Sequence, residues 1–247
     1  MEQYGAFAYL YDKLTPDVDY VATADLIEKL INTYCEIPNP TLLCDLACGT
    51  GSFLNQMADR GYDATGIDAS EDMLDMALKK RGERSILYLN QDVTQFELYG
   101  TMDVITCLLD SVNHITEPEA LSRMFALAAN YLNPGGLFIF DVNTRYKFEQ
   151  VLADNTFVSE EAGVFYVWEN HYDKKTQLLD FDLTFFVEKD GLYTRVEESH
   201  TERCYSEEEL GQMLLALPFD LAGRFCGASV DACVEPCQRM YYVLRKK

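Results

Sequence analysis

An apolar run that stops abruptly in small residues is the strongest constraint in this chain. Leu42-Leu43-Cys44-Asp45-Leu46 passes directly into Ala47-Cys48-Gly49-Thr50-Gly51-Ser52. A strand that turns this tightly and then enters a helix brings backbone N–H groups, carrying partial positive charge, close to a ligand. The next apolar segment, Ala64-Thr65-Gly66-Ile67, closes on Asp68, nineteen residues beyond Gly49. A carboxylate at that spacing accepts both hydroxyls of a ribose. Loop and acid together predict a site for a nucleoside-bearing cofactor.

Strand and helix signals keep alternating. Val21 to Tyr34 places Leu26, Leu30 and Ile31 at helical spacing, and Pro38 and Pro40 end that segment. A helix is predicted from about Gly51 to Arg60 and a second strand over Ala64 to Ile67. Ser70 caps the next helix, with Glu71 and Asp72 in its first turn and Lys79, Lys80 and Arg81 at its end. Ile86 to Leu89 and Met102 to Leu109 read as strands three and four. Thr116-Glu117-Pro118-Glu119 reads as a capping box opening a helix to about Tyr131. The turn Asn133-Pro134-Gly135-Gly136 then leads into strand five, Leu137 to Val142. Continuous apolar strands between helices predict an α/β fold whose parallel sheet is covered on both faces.

The pattern changes between about Thr156 and Tyr205. Leu179, Phe181, Leu183, Phe185 and Val187 alternate with their neighbours at period two, and Asp190-Gly191 marks a hairpin turn. Val164 to Tyr172 adds a further strand, giving an antiparallel meander inserted into the α/β domain. The predicted division is residues 1–150 with 206–247 for the main domain and 151–205 for the insertion. Ser206-Glu207-Glu208-Glu209 opens a helix through Leu217, and Phe219 to Phe225 and Met240 to Leu244 supply the last strands.

The chain of 247 residues carries a net charge of −21. Apart from the closing Arg245-Lys246-Lys247 there is no dense basic run, which argues against a nucleic-acid partner. An acidic surface favours solubility, and it also attracts a cationic cofactor or substrate. Eight cysteines occur without a signal sequence, and Cys44, Cys48 and Cys107 lie within or beside apolar segments. A reduced, cytoplasmic protein is expected. No apolar run approaches the ~20 residues of a membrane span.

The loop itself narrows the cofactor. A dinucleotide fingerprint requires a small residue where Leu54 stands, and a triphosphate loop requires Lys where Ser52 and Phe53 follow Gly51. The combination of Asp45-Leu46-Ala47-Cys48-Gly49-Thr50-Gly51, Asp68, Asn90-Gln91-Asp92-Val93 and Leu132-Asn133-Pro134-Gly135-Gly136 resembles the class I S-adenosylmethionine-dependent methyltransferases. The resemblance covers essentially the whole chain, because four separated segments recur in order. It implies a Rossmann-like seven-stranded, mostly parallel sheet with the last strand antiparallel, helices on both faces and a small β-meander. Tyr9-Leu10-Tyr11-Asp12 and Asp110-Ser111-Val112-Asn113-His114 further resemble a small-molecule subgroup that includes amino-sugar N-methyltransferases, and a methyltransferase group widespread in Gram-positive bacteria.

Carried over by position, the resemblance assigns Ala47, Gly49 and Gly51 to backbone contacts with the homocysteine and ribose portion of S-adenosylmethionine, the cofactor it implies. It assigns Asp45 to the loop and amino group, Asp68 to the ribose, Met73 to the adenine face, and Asp92 with Val93 to the adenine edge. Cys48, Ala69, Gln91 and Leu109 complete the implied set, and Tyr11 lies over cofactor or substrate as the N-terminal helix closes. An ionised aspartate only accepts hydrogen bonds, which suits ribose hydroxyls and an exocyclic amine. Each residue also has a plain structural use: Asp68 as a helix cap, Asp92 as a turn former, Met73 as core. Ala47 stands where a glycine is common, which a tight turn tolerates if φ stays negative.

Ligands of open α/β sheets sit beyond the carboxyl ends of the strands. Strand four therefore aims Asp110, Asn113 and His114, and strand five aims Asn143 and Tyr146, at a small-molecule methyl acceptor, with Tyr4 a further contact. His114 titrates near neutrality and is the candidate general base or amine-orienting group, a backbone-bonded structural histidine being the alternative. Cys226, Cys233 and Cys237 with Asp231 and Glu235 lack zinc spacing, so no metal site is expected. The apolar runs of the meander either wall the pocket or cover a second copy in a homodimer.

Overall fold

The computed structural model describes residues 8, 11, 18–161, 163–189, 191–227 and 236–247. Tyr4, Tyr9, Leu10, Asp12, Asp190, Asp231, Cys233 and Glu235 lie outside the described residues.

Helix α1 (Tyr20–Tyr34) precedes β1 (Leu42–Leu46), α2 (Ser52–Asp59), β2 (Asp63–Asp68), α3 (Glu71–Lys80) and β3 (Ile86–Asn90). Then come β4 (Met102–Cys107), α4 (Pro118–Tyr131) and β5 (Leu132–Asn143). A π-helical turn (Lys147–Leu152) leads into β6 (Thr156–Glu161), β7 (Val164–Asp173), β8 (Leu178–Lys189) and β9 (Leu192–Arg203). Helix α5 (Glu207–Leu215), β10 (Phe219–Cys226) and β11 (Arg239–Lys246) complete the order. Seven strands form one sheet in the order β10-β11-β5-β4-β1-β2-β3, and β6 to β9 form a second sheet in chain order. Strands β1 to β5 pair in parallel, whereas β11 runs antiparallel to both β5 and β10. This is the Rossmann-like arrangement expected, and the second sheet is an antiparallel meander.

Residue alternation explains why both faces of the large sheet are covered. Along β5, Phe138 and Phe140 enter a layer with Met124, Phe125 and Tyr242, while Leu137 and Ile139 enter the opposite layer with Leu30, Leu54 and Met57. All ten residues are buried. Fully burying one such side chain contributes about 1.5–3 kcal/mol, so these two layers hold the sheet that carries the site.

Four local expectations change. Helix α4 begins at Pro118 with Glu117 as its cap residue and no side-chain cap, because the fixed φ of proline suits the first helical position. Strand β4 ends at Cys107, and Leu109 and Asp110 both take left-handed backbone (φ 57°). Strand β5 starts earlier, at Leu132, and absorbs the Pro134-Gly135 turn as an irregularity, with Gly135 at φ 82°. Cys226 and Cys237 form a disulfide with Cα atoms 5.7 Å apart, so the wholly reduced set of cysteines expected from composition does not hold. Pairing of β10 with β11 places Cys226 opposite Met240 and brings the two thiols together. Both are thereby removed from any ligand set. Among the described residues, no helix is long and apolar enough to cross a membrane.

Candidate active site

The turn after β1 is fastened to the end of β2. The Cys48 N–H donates to the Ile67 carbonyl (3.0 Å), the Gly49 N–H to Asp68 Oδ2 (2.8 Å) and the Ser70 N–H to Asp68 Oδ1 (2.9 Å). Asp68 therefore shapes the loop before it meets any ligand. The Gly51 N–H is used by the Cys48 carbonyl (3.0 Å), and a Cβ on Gly51 would collide with the hydroxyl of Tyr88. Gly49 and Gly51 thus spend their donors internally, and Gly49 offers close backbone approach in place of a free N–H. Tyr88, whose buried hydroxyl lacks a hydrogen-bond partner, gave no signal in the sequence beyond its strand position.

Tyr11, Asp45, Ala47, Cys48, Gly49 and Leu109 converge on one cavity above α2. Asp45 is buried at its floor and accepts from Thr106 Oγ1 (2.6 Å). Burial pushes its carboxyl up to about 7, against the Thr106 hydrogen bond, with Asp68 and Asp141 adding to the rise. Among the described residues no basic side chain pairs with it. Ala69 follows β2, Gln91 and Asp92 follow β3, and Met73 lies in the first turn of α3. The Gln91 N–H donates to the Asp68 carbonyl (3.1 Å), and Asn90 Nδ2 bonds the carbonyls of Asp68 (3.1 Å) and Ala69 (3.0 Å). Asp92 Oδ1 accepts from the Thr94 N–H and hydroxyl (both 2.8 Å), the turn-forming use noted above. Val93 packs on the core layer of α4.

The ends of β4 and β5 build a second cluster. Asp141 accepts from the N–H groups of Leu109 (2.7 Å) and Asp110 (2.9 Å), holding that left-handed pair in place. Arg239 ties it down further, bonding Asp110 Oδ1 (2.9 Å) and Asp141 Oδ2. Burial works against ionised Asp110, but the charges of Arg239, Lys147 and His114 hold its carboxyl below the usual range. Asn143 is the hub: its Nδ2 donates to Asp110 (2.7 Å) and Glu202 (3.2 Å), and its Oδ1 accepts from Lys147 Nζ (2.9 Å). Asn113 is consumed by backbone, accepting from the Asn143 N–H (2.9 Å) and donating to the Arg203 carbonyl (2.8 Å). Tyr146 lines a cavity of about 430 Å³ together with Asn143, Arg145 and Tyr205.

His114 reaches the inner face of the second sheet. Its Nε2 is 3.7 Å from Glu202 Oε1, and its ring lies 6.1 Å from that of His200 and 6.2 Å from that of Phe181. The imidazole keeps 44% of its side-chain surface open, whereas the Glu202 side chain has 5%. Loss of hydration lowers the His114 pKa, leaving it neutral at pH 7, and burial pushes Glu202 up to about 8. Asp141 belongs to the strand-five end that the sequence directs at the acceptor, whereas Glu202, Lys147 and Arg239 are not singled out by the sequence. The one signal available was the period-two face shared by His200 and Glu202.

Comparison with known proteins decides the family. A methyltransferase-domain model matches residues 43–136. The crystal structure of an S-adenosylmethionine-dependent methyltransferase from Clostridium acetobutylicum superposes with a TM-score of 0.88 at 31% identity, covering 98% of each chain. The chain belongs to the S-adenosylmethionine-dependent methyltransferases. The Bacillus subtilis protein YqeM, named as a methyltransferase, is 31% identical over 88% of this methyltransferase and 87% of its own length. A Streptomyces venezuelae dTDP-3-amino-3,4,6-trideoxy-α-D-glucopyranose N,N-dimethyltransferase is 32% identical over half of each chain.

The residues of the methyltransferase fit its cofactor. A buried carboxyl without a cationic partner, Asp45, suits the ammonium of the methionine moiety, and the small-residue turn admits backbone-close groups. Asp68 keeps further lone pairs on both oxygens for ribose hydroxyls. One expectation reverses. Ala47 has φ 55°, so the turn holds it left-handed. That conformation costs a non-glycine residue about 1–2 kcal/mol, offset in part by about 0.4–1 kcal/mol of unfolded-state entropy. Ala47→Gly is therefore expected to stabilise the methyltransferase by about 0.5–1 kcal/mol, read from the urea midpoint at unchanged slope.

Proposed function

We propose that this methyltransferase acts on the nitrogen of a small soluble amine seated between the Leu109–Asp110 turn and the inner face of the second sheet. The carrying observation is the approach of His114 to Glu202 beside that turn. At 3.7 Å the two atoms are too far apart to share a direct hydrogen bond, and both can reach one N–H donor of an incoming amine. S-Adenosylmethionine, when bound, supplies an electrophilic methyl carbon on its sulfonium. Asp45 and Asp68 would hold the cofactor's ammonium and ribose, and Asp141 with Arg239 fixes the turn that separates donor from acceptor.

An amine attacks through a free lone pair, so an ammonium must first lose a proton. Neutral His114 is placed to take it at pH 7, and Glu202, pushed up to about 8, joins it as a carboxylate as pH rises through 8. Removing that proton and holding the nitrogen in line supplies most of what transfer to an activated methyl requires. The similarity to sugar N,N-dimethyltransferases over half the chain supports nitrogen as the acceptor atom. The acidic balance of the chain supports a small molecule over RNA.

The test is incubation with methyl-labelled cofactor and a cell extract separated into metabolites, RNA and protein. Label in the metabolite fraction, reduced about 10²-fold in Glu202→Gln, is the expected result. Label confined to RNA or protein would overturn the proposal.

A further inference from the structure

Strand β9 alternates, so Glu198, His200 and Glu202 share the face turned toward His114. At about 3.3–3.4 Å per residue, Glu198 stands roughly 13 Å along the strand from Glu202. Cross-strand register sets Glu198 opposite Leu183, Leu183 opposite Trp168, and Trp168 opposite Phe157. An aromatic wall connects the two ends. Ring centroids lie 5.3 Å apart for Phe157–Trp168, 5.8 Å for Trp168–Phe181 and 5.2 Å for Phe181–His200, ending at His114.

Two buried polar atoms in this one row lack partners. Glu198 is 7% exposed and its Oε1 accepts from nothing; Trp168 Nε1 donates to nothing. A buried carboxylate oxygen left without a hydrogen bond is unfavourable, and a ligand N–H at that atom would remove the cost. The basic residues of the same strand, Arg195 and Arg203, have the opposite parity and pair with Glu197 and Glu209.

Resting on the proposed amine methylation, we infer that Glu198 and Trp168 form a distal subsite that binds a second cationic group of an extended acceptor. The acceptor is thus a diamine, polyamine or comparable molecule of net positive charge. One end sits at His114 and Glu202 for methylation. The other gives an N–H to Glu198 Oε1 and lies against the face of Trp168, where the aromatic quadrupole attracts a cation. A diphosphate-linked acceptor would bring like charge against Glu198, and the subsite excludes it.

The test uses the full chain with labelled S-adenosylmethionine and a metabolite extract divided on cation- and anion-exchange resins. Label in the cation-retained fraction is expected. Glu198→Gln should raise KM for that fraction at least about tenfold, since a charge-assisted bond contributes about 1.5–3 kcal/mol and 1.4 kcal/mol is tenfold. Trp168→Phe, which removes only the indole N–H, should raise it by a smaller factor. Thermal unfolding of Glu198→Gln at or above the wild-type temperature separates this loss from misfolding. Label in the neutral or anion-retained fraction, or an unchanged KM in Glu198→Gln, overturns the subsite and leaves amine methylation standing. Label in no metabolite fraction overturns both.

Discussion

Replacing Arg239 with alanine is expected to destabilise the fold by about 3–5 kcal/mol, the usual loss when one partner of a buried ion pair is removed. The guanidinium is the sole basic group bonded to both Asp110 and Asp141 among the described residues. Asp141 is fully buried and the Arg239 side chain is 23% exposed, so solvent screens the interaction little. Without Arg239, burial would push both carboxyls toward protonation. A protonated Asp141 would accept less well from the Leu109 and Asp110 N–H groups that hold two residues left-handed. The left-handed pair should then relax, and methyl transfer should fall along with stability. Urea denaturation measures the first effect. The double variant Arg239→Ala, Asp110→Asn should recover part of it, because one uncompensated charge is gone. A loss below about 1 kcal/mol would mean that water takes the place of Arg239 and that the cluster is open.

Asp45→Asn should change binding and stability in opposite directions. Losing a charge-assisted contact to the cofactor ammonium weakens binding about 10- to 150-fold, corresponding to about 1.5–3 kcal/mol. Stability of the cofactor-free chain should rise instead. The folded pKa of Asp45, about 7, is above the ordinary carboxylate value, so the folded state binds its proton more tightly. The stability this confers is complete below the unfolded pKa and is lost as pH rises through 7. Asparagine carries no such loss, so the variant should melt higher than wild type at pH 8 and the gap should close toward pH 4. Wild-type affinity for S-adenosylmethionine should weaken as pH falls below about 7, approaching tenfold per unit, with no such trend in Asp45→Asn. Calorimetric titrations and thermal melts across pH 5–8 check both. Equal cofactor affinity in the two proteins would remove Asp45 from the site.

The large sheet was legible because its strands are continuous apolar runs between helix signals, and burial on both faces leaves no other use for such runs. The proposed cofactor side was legible for a related reason: Asp45, Gly49 and Asp68 lie within one short βαβ unit, so spacing in the sequence is spacing in the fold. The acceptor side is assembled from afar. Arg239 is 98 residues from Asp141 and 129 from Asp110, and Asn143 is 59 from Glu202. The alternation and hairpin turn identify β9 as a strand without saying which face is inner, so nothing in the sequence sets Glu198 and Glu202 apart from surface acids. The left-handed Leu109 and Asp110 carry no glycine to announce them; the hydrogen bonds from Asp141 hold them there. Ala47 hid its conformation in the same way. Asn113 and Asp92 have the residue type for ligand contact, and the fold also has Asn113 bonding distant backbone and Asp92 bonding the nearby Thr94 N–H.

Methyl transfer to an amine beside His114 and Glu202 is most directly tested with S-adenosylmethionine carrying a carbon-13 methyl group. After incubation with the metabolite extract, carbon–proton correlation NMR reports the atom to which the methyl is bound. Signals of nitrogen-bound methyl groups that appear with the wild-type chain and fade in Glu202→Gln are the result expected. Signals of oxygen- or carbon-bound methyl groups, or nitrogen-bound ones equally strong in Glu202→Gln, would contradict it.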